Sequence, residues 1–230
     1  LRLACGTSAA HDRQELEPGH IWHMQVSDDK VRDELPKDLQ TNGPRNRESG
    51  AIQYIPRPDE KSLEWAASFG CVEIHSFCIG IHTESPTIAA FDLDPGEGID
   101  VIDCCGLALE VQRWLADNGL ECFPKVSGSY GVQVYVPLNT PSLYAITQPL
   151  ARETAEELEG HHPDKVISQM LAPKGKVLID WCQNAEHKTT VSVYSARAKQ
   201  ERPYVSMPLT RKEVRNAVKK RKRKSLIFPP

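Results

Sequence analysis

An apolar run that ends in acid constrains this chain more than any other feature. Thr87-Ile88-Ala89-Ala90-Phe91-Asp92-Leu93-Asp94 is apolar enough for a buried strand, and Pro95-Gly96 stops it. Asp92 and Asp94 are two residues apart, so both point to one face of a sheet. Two like charges so placed repel unless a cation sits between them. A divalent metal is the usual answer, because hard carboxylate oxygens suit Mg²⁺ or Mn²⁺ together with substrate phosphates. Asp180 is a third acid, set in the apolar stretch Val177 to Trp181, where an aspartate rarely goes fully buried without a partner. Three carboxylates on two strands can hold two metals that activate a 3′-hydroxyl and stabilise a leaving pyrophosphate. A bare Asp-x-Asp is also a common strand ending, and Asp94-Pro95-Gly96 is a good turn by itself.

Between the acidic strands lies Ser127-Gly128-Ser129-Tyr130-Gly131, after the strand expected from Cys122 to Val126. Small residues let successive backbone N–H groups face one point, which makes an anion nest for phosphates. Alone, such a turn is equally an ordinary hairpin; its position between the acids raises it.

The rest of the chain interleaves strands and helices, so the class is α/β or α+β. Ser62 to Phe69 reads as a short helix, Cys71 to His75 as a strand, and residues 100–118 as a helix with Gly119 as its C-cap. On that helix Val101, Cys105, Leu109 and Leu115 fall near one face. Val132 to Pro137 alternates as a strand. Ser142 to Leu158 reads as a second helix with Ser142 at its N-cap, and Thr189 to Tyr194 as a further strand. Residues 1–50 are weakly periodic, with a loop signal at Thr41-Asn42-Gly43-Pro44-Arg45-Asn46. The expected organisation is an incomplete N-terminal lobe over 1–50, a core over 51–210 and a basic, truncated C-terminal segment over 211–230.

The length allows one sizeable core, or a core with a small lobe. No apolar run approaches the ~20 residues that span a bilayer, and the start is too short and unpatterned for a signal peptide. The 7 cysteines are odd in number and include no Cys-x-x-Cys pair, which fits reduced, buried thiols and a cytoplasmic protein. Net charge is −3, yet Arg211 to Lys224 carries nine cations against Glu213, so that segment holds +8 and the remainder −11. Such a run, with Lys219, Lys220, Arg221 and Lys222 at its centre, suits phosphate backbones; the plainer reading is a solvated, frayed helix end. Cys5, His11, His20 and His23 could be drawn as a zinc site, but their spacing fits no standard pattern. His161-His162 suits a helix end better than a metal, and nothing puts Cys182 next to a base.

Phe91-Asp92-Leu93-Asp94-Pro95-Gly96-Glu97-Gly98, Phe123-Pro124-Lys125-Val126-Ser127-Gly128-Ser129 and Leu178-Ile179-Asp180-Trp181-Cys182-Gln183-Asn184 resemble, in order, the polymerase domain of bacterial DNA ligase D, in the archaeo-eukaryotic primase superfamily. Val72-Glu73-Ile74-His75, Lys188-Thr189-Thr190 and Tyr194-Ser195-Ala196-Arg197 extend the resemblance, which covers roughly residues 50 to 210. It implies a primase-polymerase mixed sheet with flanking helices and a smaller N-terminal lobe. It implies further that Asp92, Asp94 and Asp180 coordinate Mn²⁺ or Mg²⁺ and carry catalysis. Ser127, Gly128, Ser129 and Gly131 would cradle a nucleoside triphosphate, Gln183 and Arg197 would help, and His75 would lie near the nucleotide. Such proteins extend primers and fill gaps at broken DNA ends, often with ribonucleotides, which implies DNA, Ku and ligase domains as partners and a place at the nucleoid.

Three positions depart from the family pattern: Tyr130 replaces a Lys, Gln133 a His and Pro173 an Arg. Losing a preorganised cation beside a triphosphate costs ~10²-fold or more in rate, for which Lys125, Lys174 or Lys176 could compensate in part. The segment that binds a gap's 5′-phosphate is expected to be missing, as is the last helix. The leading expectation is a template-directed nucleotidyltransferase; the rival is a catalytically decayed nucleic-acid-binding module on the same fold. A metal-dependent phosphoesterase is a third reading, which the triphosphate-like loop disfavours.

Overall fold

The computed structural model describes residues 24–25, 41–42, 53–55, 60–68, 71–79, 85–169, 174–186, 188–200 and 202–230. Pro173 and the zinc candidates Cys5, His11, His20 and His23 lie outside them. In chain order the elements are β1 (Met24–Gln25), β2 (Thr41–Asn42), β3 (Gln53–Ile55), α1 (Glu60–Ser68), β4 (His75–Phe77), β5 (Ile88–Pro95), α2 (Val101–Asp117), β6 (Phe123–Val126), β7 (Val132–Pro137), α3 (Tyr144–His161), β8 (Val166–Ile167), β9 (Val177–Asp180), β10 (Thr189–Val191), β11 (Ala196–Arg197), β12 (Tyr204–Val205) and α4 (Arg211–Lys220).

The central sheet has the order β6-β7-β5-β9-β8. Every pairing in it is antiparallel except the parallel β8–β9 edge. The interleaved pattern gives the α/β or α+β class, and this is the mixed sheet with flanking helices that the resemblance implies. β10 pairs with β4, β11 with β12, and β3 lies between β1 and β2.

Period-2 alternation gives β5 its two roles. Ala89, Phe91 and Leu93 are wholly buried and join Val132, Val134 and Ile179 in the main core, beneath α2, α3 and α4. Asp92 and Asp94 therefore face the other side. α2 begins at a capping box, with Asp100 accepting from the Ile102 and Asp103 N–H groups and Asp103 accepting from Asp100 N–H. It ends in a Schellman turn: Gly119 has φ +75° and the Leu120 N–H bonds Leu115 O at 2.8 Å. Cys105 and Leu115 are buried on it, while Val101 and Leu109 are half-buried on the flank of that stripe.

Several elements differ from the sequence expectation, each for a local reason. Thr41–Asn42 pairs with β3 and is strand, not loop. The strand near His75 runs forward to Phe77 rather than back to Cys71, because the Ile74 N–H is taken by Ser195 Oγ at 2.8 Å instead of a ladder partner. Leu143, not Ser142, caps α3; Leu143 is extended and gives no side-chain bond, and Ser142 Oγ is buried without a partner among the described residues. The strand holding Asp180 stops there, because Asp180 Oδ1 accepts the Cys182 N–H at 2.9 Å and starts a 3₁₀ turn over Trp181–Gln183. β10 ends at Val191, and Tyr194 turns the chain with φ +64°. Cys122 precedes β6 and Cys182 sits in the 3₁₀ turn, so neither is in a strand, whereas Cys104 and Cys105 are buried in α2 as expected.

The basic C-terminal segment is not a frayed end. α4 has a capping box between Thr210 and Glu213, and Arg221 closes it in a left-handed conformation (φ +45°). Val214 and Ala217 enter the main core, while Lys219, Lys220, Arg221 and Lys222 stay exposed. No helix among the described residues is long and apolar enough to cross a membrane.

Candidate active site

Register, not proximity in sequence, assembles the site. Lys125 pairs with Gln133, Gln133 with Asp92, and Asp92 with Asp180. Directly paired residues share a face, so four polar side chains cross β6, β7, β5 and β9 in one row. Asp94 stands one step along β5 on the same face.

Each carboxylate has its own surroundings. Asp92 Oδ2 accepts from Gln133 Nε2 at 2.9 Å. Burial pushes the Asp92 carboxyl well above the usual range, the charge of Asp94 adds to this, and the Gln133 bond opposes it. The carboxyl of Asp94 tucks against Gly131, although the residue as a whole is open to solvent; burial and then the charge of Asp180 raise it, while Arg197 pulls it down. Asp180 is 5% exposed, and its oxygens accept from Cys182 N–H (2.9 Å) and Gln183 Nε2 (2.8 Å). The side chain of Gln183 thus orients the third aspartate.

The Ser127–Gly131 loop turns back on its own serine. Ser127 Oγ receives the N–H groups of Ser129 and Gly131, both at 3.3 Å, and bonds Gly131 O at 3.1 Å. The point on which these N–H groups converge is the Ser127 hydroxyl. Two glycines are required by space. Gly128 has φ +73°, and a Cβ there would lie 2.9 Å from both Ser206 N and Tyr204 O. At Gly131 a Cβ would lie 2.4 Å from Leu93 O, so the loop sits hard against β5. Behind it is a cavity of about 350 Å³, lined by Glu97, Asp100, Tyr130, Tyr204 and Arg223 among others. Ser129 lines this cavity, and its carbonyl accepts from Gln200 Nε2.

Two of the three cations suggested as compensation, Lys125 and Lys176, are engaged elsewhere, while Lys174 is exposed. Lys125 is 2% exposed, lies over the Tyr135 ring, and donates to Val191 O (2.8 Å) and Ser206 Oγ (2.7 Å). Burial pushes its amine down to about 7 against the pull of Asp92. Lys176 Nζ donates to Pro163 O at 2.6 Å. Tyr130 is 53% exposed and bonds Lys199 O, a neutral group at the rim of the loop.

On the far side His75 and Arg197 approach the same carboxylate, Glu73. Burial lowers His75, partly offset by its bond to Glu73, which favours the neutral ring near pH 7. Glu73 and Asn184, quoted in motifs but given no role, emerge here, as does Tyr135 from the strand Val132 to Pro137. Asn184 is fully buried; its Oδ1 accepts Ala90 N–H (2.8 Å) and its Nδ2 donates to Ala90 O (2.7 Å), replacing a strand partner where β9 stops. A polar residue just after a strand that ends early is the signal that could have singled it out. Lys219, Lys220, Arg221 and Lys222 lie apart from the acidic row, on α4 and the turn after it.

Among the described residues no three His, Cys, Asp or Glu side chains close a metal cage by themselves. The donor chemistry fits a hard cation nonetheless. Asp92 and Asp94 are adjacent, mutually repelling oxygen donors, and Mg²⁺ or Mn²⁺ needs one or two carboxylates when water and phosphate complete its shell.

Known proteins share this fold. The family model for the LigD primase-polymerase domain matches residues 18–226. The multifunctional non-homologous end joining protein LigD of Mycolicibacterium smegmatis is 36% identical over 177 residues, covering 75% of this chain and 23% of that protein. The bifunctional LigD of Bacillus subtilis is 29% identical, covering 74% and 28%. The chain thus spans about a quarter of the length of these relatives. The solved polymerase domain of Mycobacterium tuberculosis Ligase D in complex with DNA superposes with a TM-score of 0.72 at 29% identity, over 86% of this chain and 76% of that one. With the fold, the family model and the relatives in agreement, this chain belongs to the LigD primase-polymerase domain family, a family of nucleotidyltransferases.

Proposed function

We propose that the chain is a template-directed nucleotidyltransferase that adds nucleotides, ribonucleotides included, to a primer or gap at DNA ends. The observation that carries this is the register of Asp92 with Asp180, with Asp94 beside it, on the face bordered by the Ser127–Gly131 loop. Asp92 and Asp94, with Asp180 next to them, would hold Mn²⁺ or Mg²⁺, which supplies Lewis-acid activation of the attacking hydroxyl and charge neutralisation of the leaving pyrophosphate. In this reading Gln133 and Gln183 orient the carboxylates. The N–H groups of Ser129 and Gly131 turn from Ser127 Oγ to phosphate oxygens, with Gly128 allowing the close approach. Arg197 supplies the fixed positive charge, and neutral His75 faces the nucleoside.

DNA is the partner the reading requires, and the cations Lys219 to Lys222 supply a surface for its backbone. The DNA complex of the mycobacterial domain supports this partner. Ku and ligase domains belong to the same proposal, since the relatives are end-joining proteins, and the nucleoid is the place where such a substrate is found.

A second reading is favoured by one observation. The inward amine of Lys125 and the neutral Tyr130 leave the loop short of positive charge, as in a binding module whose chemistry has decayed. Primer extension on a gapped duplex with Mn²⁺ and labelled ribo- or deoxynucleotides decides between them, beside an Asp92→Ala/Asp94→Ala control. Incorporation that vanishes in the control supports the polymerase. DNA binding without incorporation supports the module.

A further inference from the structure

Glu73 has no part in the nucleotidyltransferase scheme, yet one of its oxygens lies beside both side chains that this scheme assigns to the nucleotide. Its Oε2 is 3.2 Å from His75 Nε2 and 3.1 Å from Arg197 Nε, while Oε1 accepts the Ala198 N–H at 3.0 Å. The partners come from different sheets: His75 opens β4 and Arg197 ends β11. Their backbones are tied separately, by Ile74 N–H to Ser195 Oγ at 2.8 Å and Ser192 N–H to Ile74 O at 2.9 Å. Among the described residues, Glu73 is the carboxylate within 4 Å of both side chains.

What Glu73 leaves open is as informative as what it holds. The approach to Arg197 is through Nε, next to the stem, as an ion pair at 3.1 Å and not as an aligned hydrogen bond, and a guanidinium carries four further N–H donors on its Nη atoms. The stem passes over the loop, with Cγ 3.0 Å from where a Gly128 Cβ would stand, and the charge of Arg197 is felt at Asp94. A planar fork so held is preorganised for phosphate. At His75, a proton on Nε2 directed to Glu73 makes Nδ1 the acceptor, so one bond sets the tautomer.

We propose that Glu73 is the positioning residue of the nucleotide cradle, its single carboxylate setting the tautomer of His75 and the direction of Arg197 together. What the cradle holds rests on the nucleotidyltransferase reading; the hold on the two side chains does not.

Glu73→Gln keeps the size and the acceptor for Ala198 but removes the charge. The expected result is a KM for the nucleoside triphosphate raised about 10-fold, with kcat changed far less, the mark of lost ground-state binding. The NMR titration of the His75 ring in nucleotide-free protein should move to lower pH, because an anionic partner is gone. Arg197→Met should cost much less in the Glu73→Gln background than alone. A lowered melting temperature with unmoved KM and unmoved His75 midpoint would mean that Glu73 merely braces β11, and overturns the proposal. If Glu73→Gln fails to fold, Glu73→Asp, too short to reach both partners, is measured the same way: a raised KM supports the proposal and an unchanged one overturns it. Should the wild-type protein incorporate no nucleotide, the polymerase reading falls, and the His75 shift still judges the hold of Glu73 on its ring.

Discussion

Gln133 stands directly opposite Asp92 across the β5–β7 ladder and donates its amide to Asp92 Oδ2 at 2.9 Å. The other end of the amide accepts the Tyr135 hydroxyl at 3.0 Å, and that hydroxyl also lies 3.0 Å from Thr190 Oγ1. The chain of bonds fixes which way the amide points, because a flipped amide would set oxygen against carboxylate. Gln133→Leu removes the donor and leaves the phenol a partner short. The expected outcome is a 10–100-fold loss of Mn²⁺ affinity, the usual effect of losing a group that orients a ligand, read by calorimetric titration of the folded variant.

The raised carboxyl of Asp92 makes metal-free stability depend on pH in a definite sense. Its folded pKa lies above the unfolded value of about 3.9, so the folded state holds the proton more tightly. Stability is then lost as pH rises from about 4 through the folded value. Asp92→Asn should flatten that slope and melt a few degrees above wild type at pH 8 without metal, a shift of roughly the size that about 1 kcal/mol produces. Mn²⁺ should raise the wild-type melting temperature more at pH 8 than at pH 5, and the variant much less at either. Melting curves at both pH values check all three statements.

Two glycines should respond in opposite directions. Gly131→Ala drives a methyl to within 2.4 Å of Leu93 O, a backbone atom of β5 that cannot rotate away. A loss of about 1–3 kcal/mol is expected, as for an overpacked core. Gly106 lies inside α2 with no atom of the described residues within 4 Å of its would-be Cβ. There Ala should stabilise by about 0.5–1 kcal/mol through helix propensity. Urea unfolding of the two variants beside wild type is the check.

Asn184 substitutes for a strand at Ala90, bonding both its N–H and its C=O. Asn184→Leu leaves two buried backbone groups unpaired, each costing about 1–3 kcal/mol. Asn184→Asp can accept from Ala90 N–H but meets Ala90 O with no donor. Both variants should lower the urea midpoint, and backbone amide exchange at Ala90 should speed up most.

If the exposed cations after α4 meet phosphates, then Lys219→Ala/Lys220→Ala/Lys222→Ala should lower the slope of log affinity for duplex DNA against log salt. The expected decrease is about 0.9 for each phosphate that is no longer neutralised. Melting temperature should hold, because these side chains are exposed and α4 enters the core through Val214 and Ala217. An unchanged salt slope would return the run to a solvated helix end.

Much of the site follows from local rules that a sequence carries openly. A period of two puts Asp92 and Asp94 on one face of β5, and Asp100 and Gly119 bracket α2 because caps and left-handed turns demand those residue types. Ser127 to Gly131 reads as a tight loop for the same reason. Which strands become neighbours is a different matter. Asp180 reaches Asp92 only through the β5–β9 pairing, and the row Lys125, Gln133, Asp92 and Asp180 exists only once four strands fall into register. Lys125 read as a spare cation for phosphate; tertiary packing buries its amine against Val191 and Ser206 instead. Glu73 joins His75 to Arg197 across two sheets, and Asn184 completes the ladder of a strand far from it in sequence. Caps, turns and alternation act over a few residues, so the chain alone determined them. Register, burial and shared hydrogen bonds join residues far apart along it, and only the folded sheet decided those.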